Sequence, residues 1–232
     1  MSRAVRTKRI AIAVVILAAL VAVGDWFWNS PWLKLQTVQV SGIHHTTKAQ
    51  VLGVAALVDG TRLTSISSAA VAHRVEGLPW VASATVTHVL PSTIRIAVTE
   101  RAPVALVQAA DRSYLVDARG AVLAAGSGAY PLITNLGVRS LLPGSRIGTP
   151  AFGAAIAILQ SLPEALRVQL AQVSAPSPNA VTISLTNHTT IAYGTAQDLG
   201  TKNTDVTALL GGGGSFLSIN VSAPDHPAAI PR

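Results

Sequence analysis

The sequence predicts an α+β protein in three parts: one N-terminal transmembrane helix, a small β-α-α-β-β domain, and a sheet-rich domain with one or two helices. Three observations carry this. Residues 10–23 are fourteen consecutive Ile, Ala, Val and Leu side chains. Residues 35–100 switch from alternating to helical spacing and back. Beyond Pro103 the apolar runs are short and separated by turn residues.

The apolar run enters a bilayer as a helix, because hydrocarbon leaves no partner for an unpaired backbone amide. Extended to Trp28 it spans roughly 28 Å at ~1.5 Å per residue, close to one hydrocarbon thickness. Arg3, Arg6, Lys8 and Arg9 precede it and hold a nine-residue N-terminus (1–9) in the cytoplasm. Trp26, Trp28 and Trp32 follow it, where an aromatic belt belongs. Ile10, Leu17, Val23, Trp26 and Trp28 therefore mark the anchor, residues 10–28, followed by a juxtamembrane linker, 29–34. The partner of this segment is membrane lipid. Two other readings exist. Ala22 and Gly24 could form a signal cleavage site, although Asp-Trp-Phe-Trp would be an odd mature start. A buried helix of a soluble core is disfavoured, since no face of the run is polar.

Leu35–Val40 alternates as a half-buried strand, and Ser41-Gly42 ends it. Thr47 with Gln50 forms a capping box before a helix carrying Val51, Leu52, Val54 and Ala55. Asp59-Gly60 is a turn. Ser65 or Ser67 caps a second helix with Val71, Ala72, Val75 and Leu78 inward, and Pro79 stops it. Val81–Val89 and Thr93–Thr99 are strands joined at Pro91-Ser92, with Ile94, Ile96 and Val98 on one face. This is one domain, 35–101, with two helices on a three-stranded sheet.

Arg101-Ala-Pro103 is the boundary to a domain at 102–223. Its strands are expected at Val104–Val107, Ser113–Asp117, Ala121–Ala124, Tyr130–Ile133, Gln169–Ser174, Val181–Thr186, Thr189–Tyr193 and Phe216–Ser222. Helices are expected at Pro150–Leu162, with Phe152, Ile156 and Leu159 on one face, and at Lys202–Leu210. Residues 224–232, rich in proline, read as a tail. Glu100 and Arg101 read as an ion pair at the junction.

Half of the 232 residues are hydrophobic and 12% are charged, which suits a packed core. The net charge of +7 is not a nucleic-acid signal. Four cations sit at the N-terminus, and from Asp25 onward thirteen Lys and Arg are scattered among ten Asp and Glu. With no cysteine, disulfides and thiolate metal sites are excluded. Thirteen Arg against four Lys, with abundant Ala, hint at a high-GC bacterial genome.

The segment His88-Val-Leu-Pro-Ser-Thr-Ile-Arg-Ile-Ala-Val-Thr-Glu-Arg-Ala-Pro-Val-Ala105 resembles the passage between two domains of the FtsQ/DivIB family of bacterial cell-division proteins. Pro91, Ile96, Val98, Glu100, Arg101, Pro103 and Ala105 lie on that pattern. The unit opening on Val38-Gln-Val-Ser-Gly42 is similar to the family's POTRA domain. Tyr114-Leu-Val-Asp-Ala-Arg-Gly120 is similar to its following hairpin, and Ile219-Asn-Val-Ser-Ala-Pro224 to its final strand. Leu90 stands where an aromatic is usual, and Asn220 where an aspartate is usual.

The resemblance implies a bitopic scaffold at the division septum with no catalytic role. Its N-terminus would be cytoplasmic and its bulk outside the plasma membrane. The implied partners are division proteins of the FtsB and FtsL type and a septal synthase, with no cofactor, nucleic acid or small-molecule substrate. A terminal strand can accept a partner segment as an added strand. Phe216, Leu217, Asn220, Val221, Ser222 and Ala223 are the candidate partner-binding residues. The other reading of this strand is core, with its edge covered by the tail.

An exported or membrane-anchored cell-wall hydrolase is the alternative class. It needs a nucleophile, a base and an orienter. No serine sits in a G-x-S-x-G elbow, and Gly126-Ser-Gly128 has turn composition. His44-His45 reads as a loop, His73 has no helical zinc partner, and His88 reads as a surface strand residue. Glu76, Glu100 and Glu164 stand in structural contexts rather than as a catalytic pair. Gly211–Gly214 lacks the Lys-Ser/Thr of a phosphate loop.

Overall fold

The computed structural model describes residues 12, 14–22, 31–110, 112–223 and 226–232. Residues 14–22 are helical (α1), and Ile16, Leu17, Leu20 and Val21 are exposed on it. Among the described residues no helix is long and apolar enough to cross a membrane. Arg3, Arg6, Lys8, Arg9, Ile10, Val23, Trp26 and Trp28 lie outside the described residues. The rest of the chain divides between Glu100 and Arg101 into two compact units.

In the first unit, β1 (Thr37–Ser41), α2 (Lys48–Ala55), α3 (Ser68–Glu76), β2 (Val81–Val89) and β3 (Thr93–Glu100) follow in order. The sheet order is β1-β3-β2, with β1 parallel and β2 antiparallel to β3. Both bonds of the Thr47–Gln50 capping box form. Of the two candidate caps for α3, Ser67 does the work, accepting from Ala70 N. Ser65 belongs instead to a 3₁₀ turn, Leu63–Ser65. The Arg74 guanidinium donates to Ala55 O at 2.6 Å, satisfying a carbonyl that the end of α2 leaves free. Ile94, Ile96 and Val98 project from β3 into one core with Val51, Val71, Val75 and Val86.

Gly42 has φ +78°, and a Cβ there would lie 2.0 Å from Val98 O. Only glycine lets the chain leaving β1 pass this close to β3.

Glu100 and Arg101 do not pair with each other. The Glu100 carboxylate accepts from His45 N at 2.9 Å, Thr46 N at 2.7 Å and His45 Nδ1 at 3.1 Å. His45 also stacks on Trp80, with centroids 4.0 Å apart and planes 4° apart. Burial opposes ionisation of Glu100, but the amides of His45, Thr46 and His44 and the His45 ring together outweigh it. They hold its pKa at about 2. Arg101 instead donates to Asp117 Oδ2 at 2.8 Å. Adjacent residues of an extended chain point to opposite sides, so a nearest-neighbour pair loses to longer-range partners.

The second unit is a nine-stranded sheet with order β12-β11-β10-β9-β8-β7-β4-β5-β6. Its strands are β4 (Ala105–Ala109), β5 (Arg112–Val116), β6 (Val122–Ala125), β7 (Leu132–Thr134), β8 (Leu170–Ser174), β9 (Val181–Leu185), β10 (Thr190–Gly194), β11 (Phe216–Asn220) and β12 (Ala228–Pro231). β4–β5–β6 and β8–β9–β10 are antiparallel, and parallel pairs join β4 to β7, β7 to β8 and β10 to β11.

Among the described residues three helices accompany this sheet, where one or two were expected: α4 (Pro150–Ser161), α5 (Glu164–Arg167) and α6 (Leu199–Gly211). α4 ends at Ser161, and Pro163 caps the single turn of α5, its carbonyl accepting from Leu166 N and Arg167 N, each at 3.0 Å. α4 opens on a Thr149 cap with Pro150 in the first turn, and packs against α6 and β9. Phe152, Ile156, Ile158 and Leu159 join Val107, Ile133, Val173, Ile183, Ile191 and Ile219 in one core.

The residues read as a tail are not all tail. Ala228–Pro231 pairs antiparallel with β11 and is the outermost strand on that side.

Candidate partner-binding edge

The sequence places its candidate residues on β11 and just beyond it, and the structure puts that strand second from the edge. The Phe216–Asn220 main chain pairs with β10 on one side and β12 on the other. It therefore has no free row of amides to offer, which corrects the reading of Phe216–Ala223 as an open edge. The core reading, with the edge covered by the following segment, describes β11.

The side chains divide accordingly. Val221 is fully buried, and Phe216 packs at the margin of the same core. Leu217 is 53% exposed. Asn220 Oδ1 accepts from Ser222 N at 3.0 Å and Ser222 Oγ at 2.7 Å, closing a turn beyond the strand. Ser222 and Ala223 are exposed in that turn.

The structure brings forward Ala228, Ala229, Ile230 and Pro231, which the sequence reading passed over. A signal existed: Pro227 and Pro231 are four apart, so both fall on the same edge of an extended strand. Proline is admitted to an edge strand where its nitrogen faces away from the ladder.

The direction of each β12 group follows from three bonds and pairs. Val221 N donates to Ala192 O at 2.9 Å, so alternation turns Ile219 toward β10 and Ser218 and Asn220 toward β12. Their partners there are Ile230 and Ala228. Arg232 N donates to Ser215 O at 2.9 Å, across a one-residue shift that falls on β11, so the alternation of β12 continues to its end. Ala228, Ile230 and Arg232 thus direct their amides inward. The outward row consists of Pro227 O, Ala229 N–H, Ala229 O and Pro231 O, because the two groups of a trans peptide point opposite ways. Ile230 presents a side chain that is 59% exposed.

Behind this edge lies a buried polar cluster that fixes α6. Lys202 is 1% exposed, and its Nζ donates to Tyr193 O and Thr195 O, each at 2.9 Å. Burial lowers its pKa, and the negative charge of Asp198 acts the other way. Tyr193 OH donates to Asn203 Oδ1 at 2.7 Å, and Asn203 Nδ2 donates to Ser161 O at 2.8 Å. Burial raises the Tyr193 pKa, so the phenol stays protonated and acts as the donor. The cluster joins β10, α6 and the end of α4, and keeps β10 firm beneath β11 and β12.

Residues 33–101 match the family profile "POTRA domain, FtsQ-type", and residues 105–210 match "Cell division protein FtsQ/DivIB, C-terminal". The chain is 36% identical to Cell division protein FtsQ of Mycobacteroides abscessus over 93% of its length and 68% of the relative's. It is 30% identical to the protein of that name from Corynebacterium glutamicum, over 82% of this chain and 85% of the other. With that of Streptomyces bingchenggensis it shares 30% identity over 95% and 86%. A POTRA domain followed by this sheet domain, with identity spread along both, places the chain in the FtsQ/DivIB family of bacterial cell-division proteins.

Proposed function

We propose that this protein is a bitopic scaffold of the division apparatus, without catalytic activity of its own. One helix within residues 10–28 anchors it in the plasma membrane. Arg3, Arg6, Lys8 and Arg9 keep its N-terminus in the cytoplasm, and both folded domains work outside, at the septum. The sheet domain gathers FtsB- and FtsL-type coiled-coil partners and, through them, a septal synthase.

The observation that carries this reading is the unpaired edge of β12. A nine-stranded sheet that ends on an exposed strand can bind a partner by gaining a tenth. Leu217, one strand in, lies about 10 Å from a strand added to that edge, so only a long partner side chain would meet it, and Asn220 serves the turn with Ser222. Val221 and Phe216 support the strand from the core.

The test is co-purification of the tagged full-length protein from its native membrane in mild detergent, with mass spectrometry of what accompanies it. Single-span coiled-coil proteins and a septal synthase are expected in the eluate, and truncation after Gly214 should remove them. An eluate free of division proteins, from a protein recovered cleaved and soluble, would overturn both the anchor and the scaffold.

A further inference from the structure

We infer that the β12 edge selects its partner by an excess of main-chain acceptors: it takes an extended segment of another protein that offers N–H groups at three alternate positions, and it rejects a second copy of this chain. The inference rests on the scaffold reading for the identity of the site, and adds what a strand must present to occupy it.

An ordinary strand edge alternates donors and acceptors and pairs with almost any extended chain, including its own copy. This edge does not. Its outward row holds three carbonyls and a single N–H, that of Ala229, because the outward nitrogens of Pro227 and Pro231 carry no hydrogen. On the inner side Asn220–Ala228 and Ser218–Ile230 lie in register, and the one irregularity, between Phe216 and Ser218, is an extra residue on β11 that leaves the alternation of β12 itself unbroken. Both prolines fall where β11 asks no N–H of them, and they strip donors from the face that a partner meets.

Consider a second copy approaching antiparallel, as two-fold symmetry requires. Ala229 can face Ala229 and exchange two hydrogen bonds. Two residues along, Pro231 must then face Pro227. Carbonyl meets carbonyl on both flanks, with no proton between them and two proline rings in the gap. Buried carbonyls without donors are costly, so self-pairing stops at one residue pair.

A foreign strand has no such conflict if its residue opposite Ala229 and the residues two before and two after it all carry N–H. It donates to Pro227 O, Ala229 O and Pro231 O and accepts from Ala229 N–H. Proline at any of the three positions would remove a bond. The residue beside Ile230 on the same face would cover an apolar side chain that is 59% exposed, so an apolar residue fits there. Repulsion of the wrong partner and complementarity to the right one come from the same two prolines.

The test uses full-length protein in detergent with three variants: Ala229→Pro, Ile230→Pro, and the double variant Pro227→Ala/Pro231→Ala. Ala229 N–H points away from β11 and meets no partner among the described residues, so Ala229→Pro should keep the wild-type melting temperature while recovery of co-purified division partners falls at least tenfold. Ile230→Pro breaks the inner ladder and should lower both. The double variant restores two outward donors and should self-associate at concentrations where the wild type sedimentation is that of a single copy.

If the wild type carries its partners and folded Ala229→Pro carries as many, the edge inference falls and the scaffold reading stands. If the wild type carries none, both fall. Should Ala229→Pro fail to fold, its N–H was not free and the assigned row is wrong. A double variant no more self-associated than the wild type would overturn the exclusion.

Discussion

Lys202 Nζ lies 2.9 Å from the carbonyl oxygen of Tyr193, in a site where the lysine is only 1% exposed. Its neighbours there are main-chain carbonyls, which stabilise an ammonium less than bulk water does. The folded pKa is accordingly below 10.5, while the unfolded chain keeps the ordinary value. Between those two values the unfolded state binds more protons, so the stability of the sheet domain rises with pH. We expect its urea midpoint to increase as pH approaches 10.5 from below, and Lys202→Met to flatten that rise. An unchanged slope in the variant would assign the effect to another group.

The same linkage runs the opposite way at Glu100. Its pKa is held at about 2, against 4.5 in the unfolded chain. The stability it contributes is complete above 4.5 and is lost as pH falls through 4.5 toward 2. Glu100→Gln should cost the first domain about 2 kcal/mol at neutral pH, through loss of the charge-assisted bonds to His45 and Thr46. The cost should shrink toward zero near pH 2. Amide exchange across β1–β3, followed against pH, measures both.

Much of this fold is legible because periodicity and capping are local. Thr47 and Gln50 announce α2, and the Ile94, Ile96 and Val98 face announces β3. The partners of single charges are not local. Glu100 and Arg101 are adjacent in sequence, yet one reaches back 55 residues to His45 and the other forward 16 to Asp117. The buried Lys202–Tyr193–Asn203–Ser161 cluster is hidden for the same reason, because it joins three elements distant in the chain. The edge was misplaced by one strand for a different reason. Three prolines in a terminal segment suggest irregular chain, and only the even spacing of Pro227 and Pro231 separates an edge strand from a tail.

Gly42 tests whether backbone proximity governs the first domain. Gly42→Ala combines a φ of +78° with a Cβ 2.0 Å from Val98 O, and backbone cannot move aside as a side chain can. A loss of more than about 2 kcal/mol is expected, with the exchange of β1 and β3 amides rising together. Gly60 also has positive φ, +80°, but nothing lies within 4 Å of its added Cβ. Gly60→Ala should therefore cost only about 1 kcal/mol, the strain of the conformation alone. Equal losses at the two sites would show that the close approach to Val98 does not matter.

Asp117 and Arg101 form one ion pair, but they should not be equally costly to remove. Asp117 Oδ2 accepts from Arg101 Nη1 at 2.8 Å, while Oδ1 accepts from Arg119 N at 2.9 Å and Ala121 N at 2.7 Å. Its carboxylate thus organises the 117–121 turn that carries β5 into β6, as well as holding the arginine. Arg101→Ala leaves the carboxylate with its two amide donors and should cost about 1 kcal/mol. Asp117→Ala strands those amides and an arginine whose side chain is only 16% exposed, and should cost about 3 kcal/mol. Asp117→Asn keeps an acceptor for the amides and should fall between. Chemical denaturation of the three variants, read by amide exchange in β4–β6, orders them. An arginine variant as destabilised as Asp117→Ala would mean that the ion pair, rather than the turn, is what the aspartate holds.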